Sequence, residues 1–262
     1  MAKVKSVSSV QGQSVVASQR FAFGDNWRKF GVAVSEEQRQ RARVSLELWL
    51  GRLEGLTFLD IGAGSGLFAA AAEELGARIT AFDFDPAGEW IERGDVLDRD
   101  YMQSLGEFDV VYSWGVLHHT GRLWEALANA CDAVAPAGRL FISIYNDQRW
   151  WSKAWRAVKR TYPRIPAPLR PLYVAVMIAP LEARTASKTI LLRQNYFATW
   201  QDPLDRGMNK WRDMVDWIGG YPFEVARPEE VFDFCRRRGF QLEKMKTQGG
   251  GHGCNQFLFR RP

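Results

Sequence analysis

Histidine and cysteine are scarce in this sequence, with three of each among 262 residues. The cysteines, Cys131, Cys235 and Cys254, are odd in number and lack paired or CxxC spacing. That argues against a disulfide framework or a zinc site and suits a reducing cytoplasm. Long apolar runs are missing too. The longest, Leu172–Leu181, is bounded by Pro171 and broken by Pro180, well short of the ~20 residues a membrane-crossing helix needs. The opening stretch Met1–Arg20 is rich in Ser, Val and Gln and has no continuous apolar core. It therefore does not read as a signal peptide, and residues 1–34 are expected to form a flexible N-terminal segment. No internal repeat and no low-complexity tract occurs.

What is present is ordinary globular material, 46% hydrophobic and 25% charged, in a length that fits one core with a large insertion or two small domains. The net charge of +5 is unevenly spread: Asp147–Ile218 holds 13 Lys/Arg against 6 Asp/Glu. The positive field belongs to that segment, and the rest of the chain is near neutral.

A helix is expected from Ser35, which with Gln38 fits a capping box, to about Leu53. Alternation follows: strands at Thr57–Ile61, Ile79–Asp83, Trp90–Arg93, Asp109–Trp114 and Arg139–Tyr145, helices at Ser65–Leu75 and Arg122–Ala135. Strands alternating with helices make a parallel sheet, whose ligands sit beyond the carboxyl ends of the strands. A helix at Pro228–Arg238 and strands at Gln241–Thr247 and Asn255–Arg260 close the chain. The two strands, joined by the glycine-rich turn Gln248–Cys254, suit an antiparallel hairpin. The organisation expected is a core over 35–146, a helical insertion over 147–226, and a helix and hairpin over 227–262 that complete the core.

The strongest local signal is Asp60-Ile61-Gly62-Ala63-Gly64-Ser65-Gly66, leaving a strand and opening a helix. Glycines there let the backbone approach a ligand, and the helix start offers free N–H groups. A dinucleotide fingerprint requires glycine at its sixth position, where this chain has Leu67. Asp83 ends the next strand, 17 residues after Gly66, where a carboxylate can accept hydrogen bonds from both ribose hydroxyls. Arg93-Gly94-Asp95 follows the third strand, with Asp95 able to receive an adenine amino group or simply to cap a turn.

With Phe108–His119 and Pro136-Ala137-Gly138 added, these motifs in this order resemble those of class I S-adenosylmethionine (SAM)-dependent methyltransferases, in the branch of the ubiquinone and menaquinone biosynthesis methylases. The resemblance spans about Ser35–Asn146. It implies an α/β, Rossmann-like, seven-stranded sheet with a terminal antiparallel hairpin, and SAM as cofactor with no metal. Asp60, Gly62, Gly64 and Gly66 would hold its methionine part, Asp83 its ribose and Asp95 its adenine, with Trp114 beside them. The chain departs from the pattern in one place. Only eleven residues, Phe84–Gly94, separate Asp83 from Asp95, fewer than a parallel crossover normally spans. The usual helix is expected to shrink to a turn, or the third strand to be displaced.

Methyl transfer needs alignment, exclusion of water and, for an oxygen acceptor, removal of a proton. Histidine, with an unperturbed pKa of ~6.5, suits that last task. His118 and His119 follow the fourth strand, and His252 lies in the hairpin turn. All three are candidate bases, His119 before His252, while helix capping or plain packing is the structural alternative for the pair. Adenine-N6 methylation is disfavoured because Ser113-Trp114-Gly115-Val116 stands where the related enzymes carry an Asn/Asp-Pro-Pro-Tyr/Phe sequence. The zinc deaminase pattern is absent.

The insertion opens on a basic, tryptophan-rich helix, Arg149–Arg160. Three readings stay open: a lid enclosing a small-molecule acceptor, a surface for peripheral membrane contact, and a nucleic-acid platform, the last disfavoured by diffuse charge. Tyr145, Asn195, Tyr196, Trp200 and Tyr221 are candidate acceptor-facing residues. The expected activity is methyl transfer to a small organic acceptor, most simply at oxygen. The alternatives are a non-catalytic SAM-binding scaffold and a nicotinamide-dependent oxidoreductase.

Overall fold

The computed structural model describes residues 35–196, 210–249, 251 and 253–262, apart from the side chains of Arg212 and Asp213. Seven strands form one sheet: β1 Thr57–Ile61, β2 Arg78–Asp83, β3 Glu92–Arg93, β4 Phe108–Trp114, β5 Val134–Tyr145, β6 Gln241–Lys246 and β7 Cys254–Arg260. The order is β3-β2-β1-β4-β5-β7-β6. The first five run parallel, β7 lies antiparallel to β5, and β6 closes the edge antiparallel to β7. The hairpin is antiparallel as its length implied, with its second strand innermost.

Side-chain alternation builds two core layers. Leu59, Ile61, Val111, Ile142, Phe257 and Phe259 face one side, while Phe58, Val110, Tyr112, Phe141 and Leu258 face the other. Both sets are buried, so the central strands are apolar on both faces. Helices α1 (Glu36–Leu50) and α2 (Leu67–Glu74) supply the second layer through Leu46, Leu50, Ala71 and Ala72. Helices α3 (Arg99–Ser104), α4 (Leu123–Asp132) and α8 (Pro228–Arg237) supply the first through Met102, Leu127 and Val231. The α1 capping box is present, with Ser35 Oγ accepting from Gln38 N–H and Gln38 Oε1 from Ser35 N–H.

The short crossover is resolved by shrinkage. No helix joins β2 to β3, and the strand expected at Trp90–Arg93 keeps only Glu92–Arg93, paired with Phe82 and Asp83. Trp90 packs over the glycine loop instead: a Cβ placed on Gly66 would lie 2.2 Å from its indole. Gly66 itself is left-handed, at φ +78°, so α2 starts at Leu67 and not at Ser65. Helix α3 had no periodic apolar signal; Asp98 caps it by accepting from Tyr101 N–H.

Among the described residues, the insertion contains helices α5 (Trp150–Thr161), α6 (Arg170–Leu191) and α7 (Lys210–Gly219). They have a small core of their own, Tyr162, Val174, Ile178 and Ile218, with Trp155, Trp211 and Trp217 packed against it.

Candidate functional site

The strand order reverses between β1 and β4, and a cavity of about 700 Å³ opens beyond the carboxyl ends of these strands. One half is walled by the glycine loop. Asp60, Gly62 and Gly64 from β1 and its turn, Asp83 from β2, Asp95 after β3 and Trp114 from β4 all line it. Gly66 sits at the start of α2 behind them. Gly62 is the position where glycine is indispensable: at φ +77° it lies so close to Val116 that a Cβ would come within 2.4 Å of Val116 Cγ1.

Two carboxylates define the electrostatics. Burial, and then the nearby Asp83 carboxylate, push the Asp60 carboxyl up to about 7. The Ala69 N–H, in the first turn of α2, opposes that rise in part. Asp83 is also held above the usual carboxylate range by burial, against backbone donors. Its two oxygens accept from Gly64 N–H and Asp85 N–H, each at 2.9 Å, which ties the end of β2 to the glycine loop. Asp95 Oδ1 accepts from Leu97 N–H at 2.9 Å. Asp95 is therefore a turn residue that also lines the cavity. A carboxylate at each of two adjacent strand ends, beside a bare backbone loop, suits a nucleoside ligand.

The other half of the cavity is built by β5, the turn after β4, the hairpin and the insertion. Val116, His119, Thr120, Tyr145, Met214 and Trp217 line it, together with Leu181, the buried carboxylate Asp216 and the hairpin residues Gln248, Gly253 and Cys254. The two histidines of the 3₁₀ turn Leu117–His119 differ in environment and in tautomer. His118 is wholly buried, and its Nδ1 accepts from Tyr145 N–H at 3.3 Å, so the proton sits on Nε2. His119 Nδ1 lies 2.8 Å from the Pro222 carbonyl, which can only accept, so there the proton sits on Nδ1 and Nε2 is the basic nitrogen. The His119 ring meets Tyr145 edge-on at 5.5 Å.

Tyr145 lines the cavity, whereas Asn195, Tyr196 and Tyr221 are not among its walls. Asn195 is exposed, and the Tyr196 hydroxyl donates to Glu182 at 2.7 Å. Trp200 and His252 lie outside the described residues. Gly249 and Gly251 are clasped to the residue that follows β5, since Asn146 Nδ2 donates to both their carbonyls and Asn255 Nδ2 donates to Asn146 Oδ1.

Sequence reasoning did not single out Asp216, Met214, Trp217 or Pro222. Pro222 acts through its carbonyl, which leaves no side-chain signal. Asp216 stands in Trp211–Trp217, whose aromatic spacing reads as packing. Glu224 was likewise missed: its carboxyl accepts from Leu123 N–H at the start of α4, and burial raises it above the usual range.

A family model described as a methyltransferase domain matches residues 34–215. The ubiquinone biosynthesis O-methyltransferase of Methylobacterium sp. (strain 4-46) is 31% identical over 106 residues, covering 36% of this chain and 43% of that protein. The protein of that name from Caulobacter vibrioides is 32% identical over 108 residues, covering 36% and 42%. The chain thus matches less than half the length of these curated relatives. Among solved structures, magnesium protoporphyrin IX methyltransferase from Synechocystis PCC 6803 with bound S-adenosylhomocysteine (SAH) superposes with a TM-score of 0.54 at 14% identity, over 95% of this chain and 99% of that one. At such identity the likeness is one of fold, and that fold is the Rossmann-like sheet with an antiparallel end.

Proposed function

This chain belongs to the methyltransferase-domain family, and from that premise we propose that it transfers a methyl group from SAM to an oxygen of a small organic molecule, with His119 as general base. The observation that carries the proposal is the His119 tautomer. Its Nδ1 proton is engaged by the Pro222 carbonyl, which makes Nε2 the ring's basic nitrogen, and the residue lines the cavity that Asp83 and the glycine loop share.

The donor set fits SAM, as the solved relative's bound SAH makes natural. Asp83 would take the ribose hydroxyls, Asp95 the adenine edge, and Asp60 with Gly62 and Gly64 the methionine part. SAM supplies a methyl group on a sulfonium sulfur, already activated towards in-line displacement. The chain's own task is to hold the acceptor, keep water out and receive one proton. Tyr145, Trp217, Met214 and Leu181 give the acceptor half apolar walls, and Asp216 gives it one carboxylate for a donor group. A proton leaving the acceptor hydroxyl would pass to His119 Nε2, while the Pro222 carbonyl steadies the charged ring. The oxygen preference is supported by the curated relatives, which are O-methyltransferases.

The test is a screen of phenols, alcohols and amines for SAH release, repeated on His119→Ala. The expected result is turnover of hydroxyl acceptors, reduced roughly 10²–10⁴-fold in kcat by the substitution, with SAH affinity unchanged. Turnover confined to amines, or a variant as fast as the wild type, would contradict the assignment.

A further inference from the structure

Helix α6 is apolar on both sides. One side is buried in the insertion's own core through Val174, Met177 and Ile178, and Leu181 on that side reaches the cavity. The opposite side is bare. Leu172, Val176, Ala179, Ala183, Ile190 and Leu191 recur at helical spacing and are all exposed, Leu172 at 63%, Ile190 at 72% and Leu191 at 82%. From Leu172 to Leu191 this stripe runs about 28 Å at 1.5 Å per residue. The helix wheel puts no charged residue within it. Arg184, exposed, stands along its border. Ser187 interrupts it near its end, and exposed apolar surface of this length on a water-facing helix marks an interaction site.

Charge identifies the partner. Helix α5 is continuous with the same unit and carries exposed Lys153, Arg156 and Arg160 at three- and four-residue spacing. Beside them Trp150 and Trp151 stack at 3.8 Å, 61% and 50% exposed. The tryptophans of the insertion therefore divide. Trp155 and Trp217 pack inside, meeting edge-on at 4.3 Å, whereas Trp150 and Trp151 stay outside. An exposed apolar stripe on a basic helical unit that also presents tryptophans has the chemistry of a helix lying in the interface of an anionic bilayer. No helix among the described residues is long and apolar enough to cross a membrane, so the contact would be peripheral.

We propose that the outer face of α6 docks on an anionic lipid surface, with α5 supplying electrostatic attraction. Because Leu181 lines the cavity from the other side of the same helix, docking brings the acceptor half of the site next to the bilayer. The inference concerns binding alone and stands whether or not the acceptor is an alcohol.

The experiment is co-sedimentation of the full chain with vesicles of equal parts phosphatidylcholine and phosphatidylglycerol, and with phosphatidylcholine alone. The expected result is binding to the anionic vesicles that weakens as salt rises. Leu172→Glu with Val176→Glu should abolish it, and Arg184→Glu with Lys153→Glu should weaken it about tenfold. These positions are exposed, and unchanged amide exchange in α5 to α7 shows that each variant keeps the insertion folded. If the wild-type chain stays in the supernatant, or the double glutamate variant still sediments, the proposal is wrong. It is equally wrong if light scattering finds a stable dimer that Leu172→Glu dissociates, because the stripe then serves a second copy of the chain.

Discussion

At the scale of single residues, the decisive fact is that a carboxyl group is buried where water would otherwise stabilise its charge. Asp60 holds its proton up to about pH 7 in the folded chain, whereas an unfolded chain releases it near ~3.9. Between those values the folded state binds more protons, so the stability of the ligand-free protein falls as pH rises through that window and levels off above it. At ~1.4 kcal/mol per pH unit, the loss is on the order of 4 kcal/mol. Asp83, raised in the same direction, adds to it. Asp60→Asn should therefore raise the denaturation midpoint of the ligand-free chain at pH 8, flatten its pH dependence and weaken SAH binding. Denaturant titrations at pH 5 and pH 8 check this, and a variant that tracks the wild type at both would refute it. Asp60 and Asp83 were legible in the sequence because a carboxylate two residues before a glycine loop, or at the next strand end, has few structural duties. His118 and His119 were legible only as a pair. What separates them is a backbone N–H on one and a backbone carbonyl on the other, and neither partner is written in side-chain letters.

At the scale of elements, the shortened crossover decides how the loop is held. A normal βαβ unit covers the sheet with a helix here; this chain uses Trp90, whose indole lies where a Gly66 side chain would be. Gly66→Ala then meets two penalties, the left-handed backbone at φ +78° and the collision with Trp90. We expect a loss of about 2 kcal/mol in stability from the backbone alone, together with weaker SAH binding. Adding Trp90→Ala should relieve the collision and leave the backbone penalty in place. A double variant no more stable than Gly66→Ala would show that the indole is not what the new methyl meets. The strands were readable because both faces of the sheet are buried, which makes Phe58–Ile61 and Val110–Tyr112 nearly continuous apolar runs. Helix α3 was not, being six residues long and too short for periodicity to show, and the strand expected at Trp90–Arg93 was placed but read too long, because β3 is a two-residue pairing that depends on β2.

At the scale of the whole molecule, the chain is a neutral core with a basic helical unit over one end of its sheet. The separate core of that unit, Val174 and Ile178 against Tyr162 and Ile218, predicts separable stability. Val174→Ala should cost the insertion about 2 kcal/mol and speed amide exchange in α5 to α7. Exchange in β1 and β4, and SAH affinity, should hold. Equal acceleration in the central strands would mean that the two parts unfold as one. The charge excess of 147–218 was visible from composition, but its use was not. Only the fold tells which tryptophans are interior and which face outward, because Trp150, Trp151 and Trp155 all fall on the side of α5 opposite its basic residues.

The most direct test of the central claim is calorimetric titration with SAH, and separately with NADH, of the wild-type chain and of Asp83→Ala. The account predicts saturable SAH binding and none of NADH. Removing the Asp83 carboxylate should weaken SAH about 10–100-fold, the value of hydrogen bonds to a charged group. A folded chain that ignores SAH, or prefers NADH, would contradict it.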